Sequence, residues 1–290
     1  MRFRRLLLSC LIFVVALAGY GQGLPPLGQS TDQKPAASAA PTVAGKLSVE
    51  AANVDLKTAR AANQEKHYAD AEALMQRDTA IRTDMPYLWI ELGQAQLGQK
   101  KYDEAVASFK AALGDNTAPQ KKATDGFYVE GKGTSSGVHA EDAVTASNKL
   151  TPDIKGVSHS SLGQAYVLSN KVPEAKAAFD EAVKDNPSQA PLYFRNEAIF
   201  FLQAGNSVEQ AAAADKAIAI DPTRAVLYFY KGQGLAAQAT IDPKTQKLVL
   251  PAGCAEALQK YLDLDPAGQY SADAKGMLTA AGVPIKAGKK

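Results

Sequence analysis

The stretch that comes closest to a catalytic loop is Gly126-Phe127-Tyr128-Val129-Glu130-Gly131-Lys132-Gly133-Thr134. Two glycines bracketing four residues ahead of a lysine suit a phosphate cradle, in which backbone N–H groups close round the anion and the ammonium meets its charge. The details fail. The Ser or Thr that ligates magnesium must directly follow the lysine, and Gly133 stands there instead, with no buried strand ahead of Gly126 to launch the loop. His67, His139 and His159 lie far apart, and none has a Cys or acidic partner at ligand spacing, so zinc is not indicated. No nucleophile elbow, paired-acid motif or Cys-His constellation stands out. The expected chemistry is recognition without catalysis, with no metal or cofactor.

Charge and cysteine narrow the possible partners. Arg2, Arg4 and Arg5 precede an apolar run from Leu6 to Gly19, the layout of a secretory signal peptide. The run is 14 residues long, short of the roughly 20 that a spanning helix needs. Ala16 and Ala18, or Gly19 and Gly21, offer the small residues of a cleavage site. Cleavage would take the formal charge from +2 to 2 − 3 = −1. No basic surplus is then left for nucleic acid; only Lys286, Lys289 and Lys290 cluster, as a solvated tail. Cys10 lies inside the apolar run, too early for lipid attachment, and is expected to leave with the signal. Cys254 then stands alone and cannot form an internal disulfide.

At 290 residues the chain exceeds one ordinary compact domain, although a stack of short repeats can use that length without a second core. Ala, Leu, Lys, Glu and Gln are abundant and aromatics make up 7%, which favours helix. Residues 22–46 carry Pro25, Pro26, Pro35 and Pro41 without an apolar period and read as a linker. Beyond it a repeat emerges. Trp89, Leu92 and Gly93 are followed by Tyr102, Ala105, Phe109 and Ala112, while Tyr68, Ala71 and Met75 form an equivalent series 34 residues before (102 − 68). A third copy holds Leu162, Gly163, Tyr166, Ala175, Phe179, Ala182 and Pro187. The fourth holds Phe194, Ala198, Phe201, Gly205, Ala217 and Asp221-Pro222. In the fifth, Tyr228, Gly232 and Leu235 are separated from Ala257, Tyr261 and Asp265-Pro266 by an insertion at 241–253, whose Pro-Lys-Thr-Gln turn signal predicts a small hairpin or ordered loop. Small residues such as Gly93, Gly163, Ala105 and Ala182 would let helices approach and leave room for large neighbours such as Tyr102 and Phe109.

These residues resemble the tetratricopeptide consensus, in which a large residue, Leu-Gly and an aromatic mark a first helix, and Ala, an aromatic, Ala and Pro mark a second. The resemblance implies an all-α, right-handed solenoid of about five helix-turn-helix units that holds protein or peptide partners on a concave face lined by first helices. The organisation expected is a signal peptide at 1–21, a linker at 22–46, two units at 47–119, a Gly-rich insertion or degenerate repeat at 120–155, three units at 156–282 and a basic tail at 283–290. Ser271 is a candidate N-cap for a helix that would cover the last unit. In the repeat frame His159 takes the place of Trp89 and is read as a packing residue.

The resemblance also implies where a partner would lie. The positions are Leu192, Arg195, Ile199 and Leu202 in the fourth unit, Val226, Phe229, Gln233 and Ala236 in the fifth, and Val157, Ser160, Gln164 and Val167 in the third. Some family members clamp a C-terminal carboxylate with Lys, Asn and Arg; only Arg195 and Asn196 match any part of that set. Phe229 and Tyr230 beside Ile199 suggest an apolar, aromatic groove for an amphipathic helix or extended peptide. Tyr193, Phe194, Phe200, Phe201, Tyr228 and Phe229 fall at helical spacing, and a good part of that stripe must pack repeat against repeat. Two functions are compatible with these features: an extracytoplasmic scaffold for protein partners, or an envelope protein whose aromatics stack on wall glycan or receive lipid. Oligomeric state is left open.

Overall fold

A computed structural model describes residues 47–114, 150–246 and 248–286. The signal segment, the linker, residues 115–149 with the glycine loop and His139, and the last four residues of the tail lie outside the described residues. Five helical hairpins follow one another: α1 (Val49–Gln64) with α2 (Tyr68–Ile81), α3 (Pro86–Gly98) with α4 (Tyr102–Ala112), α5 (Pro152–Leu168) with α6 (Val172–Asp185), α7 (Ala190–Gln203) with α8 (Ser207–Ile220), and α9 (Ala225–Ala236) with α10 (Cys254–Leu264). A last helix, α11 (Ser271–Ala280), packs on α10 and α9. The fold is an all-α helical-repeat solenoid. Each first helix touches its own second helix and the first helix of the next unit, so successive hairpins share one stack. No described helix is long and apolar enough to cross a membrane.

Local chemistry marks the ends of these helices. Ser48, Thr151 and Asn206 stand just ahead of α1, α5 and α8, and their side-chain oxygens accept from Ala51 N at 3.0 Å, Ile154 N at 3.2 Å and Glu209 N at 3.2 Å. These bonds satisfy N–H groups that the first turn leaves without a helical partner. In four hairpins the turn between the helices uses one residue with positive φ: Lys66, Lys100, Asn170 and Gly205. The next N–H in each case bonds back to a carbonyl inside the first helix, His67 to Ala62, Lys101 to Gln96, Lys171 to Tyr166 and Asn206 to Phe201. Such a left-handed cap ends a helix and turns the chain sharply. The second helices stop for another reason. Asn186, Asp221 and Asp265 each precede proline, which excludes them from helical backbone, and all three have φ between −142° and −128°.

The core repeats a single steric fit. A Cβ on Gly93 would come within 2.5 Å of the Phe109 ring, one on Gly163 within 2.7 Å of Phe179, and one on Gly232 within 2.6 Å of Leu258. The missing side chain on the first helix makes the space that the large side chain of the second helix fills. Phe109, Phe179 and Leu258 are fully buried as a result. The first and fourth hairpins vary the fit with Ala59 and Met75, and with Ala198 and Ala214, all of them buried.

Two expectations need correction. Helix α5 begins at Pro152, inside the range assigned to the Gly-rich insertion, because Thr151 caps it and Pro152 supplies a preset φ at its first position. Ser271 is not an N-cap: it is the first residue of α11, and its hydroxyl donates to the Asp265 carbonyl at 3.1 Å, tying the helix to the end of α10. The insertion of the fifth unit is a hairpin. Thr240–Ile241 pairs antiparallel with Leu248–Val249, and Asp242 Oδ1 accepts from Lys244 N at 2.7 Å and Thr245 N at 2.9 Å to shape the turn.

Candidate peptide-binding face

Helices α5, α7 and α9 lie side by side, and the residues expected to meet a partner separate by burial. On α7, Leu192, Arg195, Asn196, Ile199 and Leu202 are all half-buried, as are Val226, Gln233 and Ala236 on α9. Ile199, Leu202, Val226 and Ala236 rest partly on the core beneath them. Gln233 is engaged from below, its Oε1 accepting from Gln210 Nε2 of α8 at 3.1 Å. On α5, Val157 and Gln164 keep partial exposure, whereas Ser160 and Val167 are buried and cannot meet a partner.

The two rings expected to line the groove, Phe229 and Tyr230, are buried. Phe229 is 2% exposed, with its ring stacked on Tyr270 at 4.1 Å and 5° and tilted against Tyr261 at 5.5 Å. Tyr230 is 6% exposed within the same cluster. The turn between α10 and α11 brings Tyr270 over this part of α9, so rings read as partner contacts are core. Two of the four aromatics of α7 follow suit and two keep partial exposure. Tyr193 and Phe201 are buried, Phe200 stacks on Phe179 of α6 at 6.2 Å, and the Lys216 ammonium lies over the Phe194 ring at 4.9 Å. What is left half-buried on α7 and α9 is aliphatic at Leu192, Ile199, Leu202 and Val226 and aromatic at Phe194, Phe200 and Tyr228.

Arg195 sits among these aliphatic groups. The other four described arginines have carboxylate partners: Arg60 with Glu91 at 3.2 Å, Arg77 with Asp55 and Asp78, Arg82 with Asp84 at 2.8 Å, and Arg224 with Asp221 at 3.1 Å. Arg195 has no ion pair among the described residues, and its Nε is buried without a hydrogen-bond partner. Burial lowers its proton affinity, and the nearby Arg224 guanidinium lowers it further, against a small opposing effect of Tyr230. A second electrostatic feature lies two residues on, toward α6 and α8. Glu197 is 1% exposed, with Lys216 Nζ 3.5 Å from Oε2 and itself shared with Asp180 at 3.0 Å. Burial, only partly offset by Lys216, pushes the Glu197 carboxyl up to about 7, and Asp180 acts in the same direction.

Residues weighed for chemistry take other roles. His159 does more than pack: its Nδ1 lies 2.6 Å from Asp185 Oδ2, joining α5 to α6. His67 is exposed near Glu65. No group of three His, Cys, Asp or Glu with metal-binding geometry occurs among the described residues. Cys254 opens α10 fully buried, with Sγ donating to the Gly232 carbonyl at 3.3 Å, and burial pushes its thiol up to about 11.

A family model described as tetratricopeptide repeat matches residues 56–121 and 161–225, in agreement with the architecture. Among solved structures, the crystal structure of YrrB, described as a TPR protein with an unusual peptide-binding site, is 15% identical with a TM-score of 0.42 over 77% of this chain and 90% of that one. The C-terminal part of a TPR repeat-containing protein from Cytophaga hutchinsonii is 16% identical with a TM-score of 0.31 over 78% of this chain and 84% of that one. The curated proteins give no match.

Proposed function

The chain belongs to the tetratricopeptide-repeat family, and from that premise we propose that it is an exported, non-catalytic scaffold whose α7 and α9 surface holds a peptide or protein segment. Repeats of this kind are protein-interaction modules. The observation that carries the choice of face is the set Leu192, Ile199, Leu202 and Val226, half-buried side chains flanking a guanidinium without a carboxylate partner. An apolar strip with a few polar groups suits a segment that buries alternate or helical side chains on it. Export rests on the basic and then apolar start, Arg2 to Gly19. The glycan or lipid alternative would have to use the half-buried Phe194, Phe200 and Tyr228, since Phe229 and Tyr230 are buried.

The face is tested with a photo-crosslinking residue placed in the full chain at Leu192, at Asn196, or at the exposed Ala212 on α8. Protein adducts should form from the first two positions and not the third. Equal yields from all three would reject the face. Export is tested by cell fractionation and N-terminal sequencing: an intact N-terminus on cytoplasmic protein would reject it.

A further inference from the structure

Burying a guanidinium without a partner is costly, because the charge loses water and receives no carboxylate in return. The protein offsets that cost with a carboxylate at Arg60, Arg77, Arg82 and Arg224, and at Arg195, whose Nε is buried without a partner in a half-buried side chain, it bears part of it. The neighbouring charge makes matters worse, since Arg224 carries the same sign. Asp221 pairs with Arg224 and not with Arg195, so the Arg195 charge is left without a carboxylate of its own. That charge has an apolar setting. Leu192 lies one turn before Arg195 on the same side of α7, and Ile199 one turn after it. An anion reaching the guanidinium there would be largely shielded from water, where a charge-assisted hydrogen bond is strong.

The placement selects among carboxylates. Apolar side chains extend to both sides of Arg195 along α7, so an occupant in contact with Leu192 and Ile199 runs past the cation in both directions. A chain terminus would leave one side uncovered. We propose that Arg195 anchors an Asp or Glu side chain inside the bound segment, with apolar residues of that segment flanking the acid and covering Leu192 and Ile199. The proposal rests on the peptide-binding reading above and adds the chemical identity of what is bound. It also explains the unpaired state of Arg195: the missing carboxylate is the partner's.

The test uses a synthetic pool of random dodecapeptides, half with free and half with amidated C-termini, captured on the full chain and sequenced by mass spectrometry. Wild type should enrich both halves equally, for peptides with an internal Asp or Glu between apolar residues. Arg195→Gln should weaken a selected peptide at least about tenfold. Changing the peptide's acid to its amide should weaken binding by a similar factor, and the two changes together should cost little more than either alone. Enrichment of only the free-carboxyl half would overturn the proposal in favour of a chain-end ligand. Enrichment without acidic preference would overturn it and leave peptide binding intact, whereas no enrichment from either half would remove both readings. A second measurement guards against a purely structural arginine. Arg195→Met should melt at or above the wild-type temperature without ligand, and a clear fall would overturn the proposal.

Discussion

Replacing Glu197 by Gln probes the most deeply buried acid of the central repeats. Its carboxyl titrates near 7 in the folded chain, against 4.5 for an exposed glutamate. The folded state therefore holds a proton that the unfolded state has released, so this residue favours folding most below about pH 4.5 and loses that contribution as pH rises through about 7. At about 1.4 kcal/mol for each pH unit between the unfolded and folded titration points, the whole swing is about 3 kcal/mol, of which about 1 kcal/mol falls between pH 6 and 8. Solvent screening makes little difference, because the side chain is 2% exposed. Gln keeps an oxygen for Lys216 and cannot titrate. Urea unfolding of both proteins at pH 6, 7 and 8 should show wild type losing about 1 kcal/mol more than Glu197→Gln across that range. Differencing the two cancels other titrating groups, including Asp78, whose carboxyl burial raises to about 6. Parallel pH dependences would refute the reasoning and show that Lys216 keeps Glu197 ionised throughout.

The remaining predictions concern the repeat fit, the turns and the thiol. Phe109→Ala should cost about 3–5 kcal/mol in thermal or urea unfolding. Gly93→Ala alone should destabilise because its Cβ would enter the Phe109 ring, yet add no further loss once Phe109 is Ala. Lys100→Gly should raise stability by about 0.5–1 kcal/mol, since its φ of 64° is strained for a residue with a Cβ. Cys254 should not react with a thiol reagent at pH 8 until urea unfolds the chain, and a fast native reaction would contradict its burial.

The repeat was legible because its determinants are paired and local. Gly93 with Phe109 and Gly163 with Phe179 combine residue type with a fixed offset, and coincidence rarely supplies both. The start of α5 was equally readable in Thr151-Pro152-Asp153, but the glycine-rich stretch ahead of it drew the boundary past those residues. Phe229 shows what spacing alone does not convey. Helical period assigns residues to a side of α9, yet whether that side is open depends on Tyr270, which arrives from the turn before α11. Arg195 was visible as a candidate only through its place in the repeat. Its distinguishing property is a lack of partners, a fact about every neighbouring helix at once, and a sequence does not display it.

The stack of Phe229 on Tyr270 also bears on how such a chain could be lengthened. In a modular array, a new unit docks on the exposed side of the last one. Here α11 and Tyr270 already occupy that side of α9 and α10, and the fifth unit has exchanged the short left-handed turn of the others for a β-hairpin. Growth by duplication at this end would have to displace the terminator, whereas duplication of an internal unit would leave it untouched. The fifth hairpin and α11 thus pack as one three-helix unit, with α11 covering the side of α9 and α10 on which a further repeat would dock.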